Sequence, residues 1–146
     1  MKSKWWAGAL ALGLGCGEPT LVATELSSGG LARTVDAPEG AVVTATERGR
    51  GARVAWEDAT MVVKEGHADL DFLRRLWGDS EHTEILRDEG GVLLAKQRAF
   101  GKDEMHFAVE VDVGGTTHAC SDDLDADPIR DVDDAELAIR VCQSLR

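Results

Sequence analysis

The sequence is short of bases, of cysteines and of catalytic signatures. Against 27 Asp and Glu stand only 16 Lys and Arg, a net charge of −11. Such a surface repels phosphate backbones and anionic headgroups, so no nucleic-acid partner is expected. An acidic surface also has a plain role in keeping a protein soluble. There are three cysteines, with no CxxC pair among them, which argues against a zinc site. No HExxH, GxSxG or Walker loop occurs, nor a GxGxxG after a strand. No internal repeat is visible. Ser27, Ser28, Ser80, Ser121 and Ser144 fall in turn or helix-end contexts. The reading is therefore a protein that is not an enzyme and needs no cofactor.

What is present begins at the N terminus. Lys2 and Lys4 precede an uncharged, mostly apolar run of 11 residues, Trp5 to Gly15. That is well short of the roughly 20 residues a bilayer span needs. A positive start, a short apolar stretch and small residues before Cys16 have the layout of an export signal. The segment resembles a lipoprotein signal peptide, and Gly15-Cys16 matches the end of the lipobox. Gly13 and Leu14 hold the preceding places in reverse of the usual order. The resemblance implies lipidation at Cys16 and a membrane partner reached through that lipid. Gly17 is not the Asp that retains enteric lipoproteins at the inner membrane, so it implies the outer membrane, facing the periplasm.

Removal of residues 1–15 leaves 131 residues, enough for one domain with a core. The charge becomes −13, because Lys2 and Lys4 leave with the segment. Cys120 and Cys142 then form an even pair in an oxidising compartment, which points to a disulfide. Gly17 to Gly30 is rich in Gly, Ser, Thr and Glu and reads as a flexible tether. The domain is expected over 31–146.

Strands are expected at Leu31–Asp36, Ala41–Thr46, Arg53–Trp56 and Thr60–Val63, with a turn over Arg48–Gly51. Leu70, Leu73, Leu76 and Trp77 then fall at helical spacing, ended by Gly78. Strands resume at Glu84–Leu86 and Val92–Ala95. His106, Ala108, Glu110 and Asp112 alternate with Phe107, Val109, Val111 and Val113, as in a half-buried antiparallel strand. Gly114-Gly115 makes a two-residue hairpin turn leading to Cys120. A last helix is expected from Val132 to Leu145, capped by Asp131 or Asp133. Its buried stripe, Ala138, Val141, Cys142 and Leu145, sets Cys142 against the sheet.

This order includes Ala37-Pro38-Glu39-Gly40-Ala41, the stretch Val111 to Cys120 and the closing Cys142-Gln143-Ser144-Leu145. Over roughly residues 31–146 it resembles bacterial lipoproteins of the PsbP/DcrB-like type. The resemblance implies an α+β fold, an antiparallel sheet with helices packed on it as an α/β/α sandwich. It also implies accessory or binding roles, with no shared catalytic residues.

Two clusters carry side chains that can ligate metal. Asp123, Asp125, Asp127 and Asp131 imitate calcium-loop spacing. Pro128 stands where that loop needs glycine, and a strand precedes it, so strong calcium binding is not expected. Of His67, His82, His106 and His118, the pair His106 and His118 could face each other on the polar side of the hairpin. A solvated face is the simpler reading. The expected function is a non-catalytic, membrane-tethered binding or accessory lipoprotein of the cell envelope, with an envelope protein as a possible partner. The alternative is a hydrolase-like envelope enzyme whose site is assembled by the fold.

Overall fold

A computed structural model describes residues 19–47 and 51–146. The expected export segment, Cys16 and positions 48–50 of the expected Arg48–Gly51 turn lie outside the described residues. Nine strands form: β1 (Leu21–Glu25), β2 (Thr34–Pro38), β3 (Val42–Ala45), β4 (Ala52–Trp56), β5 (Ala59–Glu65), β6 (Thr83–Glu89), β7 (Val92–Ala99), β8 (Lys102–Val113) and β9 (Thr116–Asp122). Among the described residues two α-helices join them, α1 (Leu70–Gly78) and α2 (Val132–Gln143). The fold is mixed α+β. Among the described residues no helix is long and apolar enough to cross a membrane.

Seven strands make one antiparallel sheet in the order β3-β4-β5-β9-β8-β7-β6. Two local meanders, β3–β5 and β6–β9, meet at the central β5–β9 pair, where Val63 lies opposite Cys120. The β8–β9 hairpin turns at Gly114 and Gly115, both at positive φ, as a two-residue turn requires. Its register pairs Val109 with Cys120 and Val111 with His118. One sheet face, with Val54, Met61, Val63, Leu94, Phe107, Val109 and Cys120, belongs to the main core and receives α2. The other face is partly covered by α1.

Helix α2 starts where the acids place it. Asp131 is the N-cap, its Oδ1 accepting from the Asp133 N–H at 2.7 Å, and Asp133 and Asp134 occupy the first turn. Its buried residues run from Ala135 to Cys142 and include Leu137 and Ile139, more than a single stripe. The reason is a second covering layer. β1 and β2 form a two-stranded ribbon, and β2 packs on α2. The chain end completes it, with Thr34 and Arg146 exchanging backbone hydrogen bonds of 2.8 and 3.0 Å.

That ribbon corrects the tether expected over 17–30. Leu21 to Glu25 pair residue by residue with Pro38 to Thr34, and Leu26 is fully buried. The Ser27–Gly29 stretch is a 3-10 turn. A Cβ on Gly29 would lie 2.4 Å from Ala52 Cβ. The glycine therefore permits close approach to β4 and does not signal a flexible linker.

The disulfide expected between Cys120 and Cys142 is present, with Cα atoms 6.1 Å apart. Both cysteines are buried, and the bridge ties the middle of β9 to the last turn of α2.

Candidate functional site

Helix α1 follows a loop held by side chains. Glu110 Oε2 on β8 accepts the Ala68 N–H at 2.8 Å. Asp69 caps the helix, accepting from the Phe72 N–H at 3.3 Å. On the outer side the Arg74 guanidinium grips both oxygens of Asp88 on β6, at 2.7 and 3.0 Å. That pairing raises the pKa of Arg74 and lowers that of Asp88. The helix is thus fastened at its start and its rim. Its apolar residues Leu73, Leu76 and Trp77 face the sheet side, yet no residue of α1 is fully buried. Leu76 is 52% exposed and Phe72 49%.

The gap under this roof is a cleft of about 360 Å³. Its floor consists of small side chains, Ala108 on β8 and Ala119 and Ser121 on β9. Leu124, 81% exposed, lies beyond the end of β9 on the opposite wall. The strand register places the polar groups diagonally. Lys64 on β5 pairs with Ala119. His106 and Gln97 lie on the far side of the floor, on β8 and β7.

His106 is the most constrained polar group in the cleft. Its Nδ1 lies 2.8 Å from Asp122 Oδ2 and its Nε2 lies 2.9 Å from Gln97 Oε1. Both ring nitrogens therefore meet oxygen acceptors, an arrangement suited to the imidazolium. The hydrogen bond to Asp122 raises the pKa of His106, opposed by burial and aided by the charges of Asp122 and Glu104. Glu104 Oε1 is 3.7 Å from Nε2, and Arg130 Nη1 lies 3.6 Å from Glu104 Oε2. The Trp77 ring stacks on His106, centroids 6.3 Å apart and planes 30° from parallel. Asp122 also takes the Phe107 N–H on Oδ1 at 2.9 Å, replacing a ladder bond at the end of β9.

The expected histidine pair is not formed. His118 pairs in register with Val111, on the face that receives α2, whereas His106 lies on the α1 face. A two-residue turn at Gly114-Gly115 dictates this, because side chains alternate from the turn outward. His118 is fully buried, its Nε2 accepting from Arg33 Nε at 3.3 Å and its Nδ1 3.1 Å from the Thr116 carbonyl oxygen. His67 and His82 are exposed, beside Glu110 and Glu81.

Of the four aspartates at calcium-loop spacing, Asp123 and Asp131 have partners of their own, and Asp125 and Asp127 are exposed. Asp123 is buried and paired with Arg53, and its other oxygen accepts from the Asp125 N–H at 3.0 Å. Asp131 caps α2. Asp122, next to this acidic stretch, reaches His106 instead. Strict alternation along β9 puts Asp122 on the face of Cys120, so counting from the turn does not locate its contact with His106 at the strand's end.

No protein-family model, no curated protein and no solved structure matches this chain.

Proposed function

We propose that this chain is an exported, membrane-tethered lipoprotein and a non-catalytic binding protein of the cell envelope, with the cleft under α1 as its ligand site. The export layout of residues 1–15 and the cysteine at position 16 support the address, with lipid on Cys16 facing the periplasm from the outer membrane. The observation that carries the binding role is the roof of the cleft. Leu73, Leu76 and Trp77 overhang a floor of small side chains without filling the space between. Concave apolar space with few polar groups is the usual form of a small-molecule site, and its volume lies in the range of about 300–1,000 Å³.

The dyad of His106 and Asp122 is the observation that speaks for an enzyme, and its surroundings favour a positioning role. A general base needs a free nitrogen within reach of the proton it takes. Here Nε2 is directed at Gln97 and Nδ1 at Asp122. His106 then serves to hold the sheet floor against Trp77. The fold that accompanies this reading is the α/β/α arrangement of the PsbP/DcrB-like lipoproteins, supported by element order and by helices on opposite sheet faces. An envelope protein remains a compatible partner at the rim, where Phe72 and Leu124 are exposed.

The test uses the Cys16→Ser chain, which carries no lipid, and the neutral apolar dye N-phenyl-1-naphthylamine. Saturable, one-to-one fluorescence enhancement is expected, and Leu76→Glu should weaken it at least about fivefold. Leu76 is half exposed, so this change leaves the core intact. Absence of dye uptake, or uptake indifferent to Leu76→Glu, overturns the assignment of the cleft.

A further inference from the structure

We infer that the ligand is a single-chain amphiphile with an anionic head, its tail under α1 and its head on Lys64. This rests on the cleft being a ligand site, as proposed above. The chain carries 11 more acids than bases, and among the described residues several of its cations are paired with them. Arg53 pairs with Asp123, Arg74 with Asp88, Arg87 with Glu136, Arg98 with Asp103, Arg130 with Glu104, and Lys96 with Glu84. Lys64 is exposed and has no ion pair among the described residues, although it lines the cleft. An ammonium with no ion pair, set between the apolar cleft and a depression lined by Glu47, Asp123 and Asp125, can take an anion attached to an apolar body. The aliphatic stem of Lys64 can extend the apolar floor while its head stays in water.

The other end of the cleft explains the single chain. From Lys64 the floor runs across Ala119 and Ala108 toward His106. There Asp122 and Gln97 occupy both ring nitrogens, leaving no second anion subsite. A volume of about 360 Å³ lies near the lower end of the range for small-molecule sites, which suits one chain better than two. Carboxylates and lipid phosphates share the chemistry that Lys64 recognises, and chain number separates them.

The experiment is displacement of the neutral dye from the Cys16→Ser chain by decanoate, decanol and a short two-chain phosphatidylglycerol, each below its micelle concentration. Decanoate should displace dye at about fivefold lower concentration than decanol. Lys64→Gln should remove that advantage and leave decanol unchanged, and Lys64→Glu should place decanoate below decanol. Both are surface changes that spare the core. Equal displacement by decanoate and decanol in the wild type, or no effect of Lys64→Gln, overturns the anionic head while the cleft stands. Stronger displacement by phosphatidylglycerol overturns the single chain. Failure of the dye itself to bind removes the site altogether.

Discussion

His106 shows how one side chain links the sheet to the roof of the cleft. Its raised pKa, caused first by the Asp122 hydrogen bond, means that the folded protein holds this proton more tightly than the unfolded chain does. The stabilisation is fully present below the unfolded value of 6.5 and is lost as pH rises through the raised native value. The melting temperature of the wild type should therefore fall, as pH rises above the unfolded value of 6.5, more steeply than that of His106→Gln. Parallel slopes in a calorimetric series would remove the charged dyad from the account. Phe100 is the second informative residue. It stands at the tip of the β7–β8 hairpin with φ of 53° and is fully exposed. A left-handed backbone costs an ordinary side chain about 1–2 kcal/mol, and Asn tolerates it better. Phe100→Asn should stabilise the protein by up to about 1 kcal/mol, read as a higher urea midpoint with unchanged slope. An unchanged or lower midpoint would mean that Phe100 makes contacts which outweigh the strain.

At the scale of elements, the sequence pattern is most faithful where a local period is strong. Leu70, Leu73, Leu76 and Trp77 mark α1, the Phe107–Val113 alternation marks β8, and Asp131 marks the start of α2. Pairing between distant segments left no such trace. Nothing in the period of β5 names β9 as its neighbour, because strand pairing is decided by which faces can be buried together. Gly29 misleads for a related reason, since composition does not distinguish a glycine needed for mobility from one needed for contact with Ala52. The cleft itself was hidden because its floor of Ala108, Ala119 and Ser121 comes from two strands and its roof from a helix. The two cysteines, by contrast, could be paired from count and compartment. Their bridge closes a 22-residue separation, which in the chain-entropy model is worth about 3 kcal/mol. Cys142→Ala should lose up to that amount, and hydrogen exchange should quicken first in α2. Alkylation of two thiols in the native, non-reduced protein would show that the bridge is absent.

On the scale of the whole molecule, the described residues supply a body with one main core, an acidic exterior and one apolar cleft under a lightly packed helix. In the proposed reading, lipid on Cys16 holds this body at a membrane after export. Cys16→Ser should move the protein from the membrane fraction to the soluble periplasm or leave its precursor uncut, and a fatty-acid probe should label the wild type alone. Equal labelling of both would remove the lipid anchor. Amide chemical-shift mapping of the Cys16→Ser chain with decanol tests ligand binding in the cleft most directly. Saturable shifts confined to Leu73, Leu76, Trp77, Ala108, Ala119 and Leu124 are predicted. Shifts centred on Phe100 or on the outer side of the β1–β2 ribbon, with the cleft silent, would contradict it.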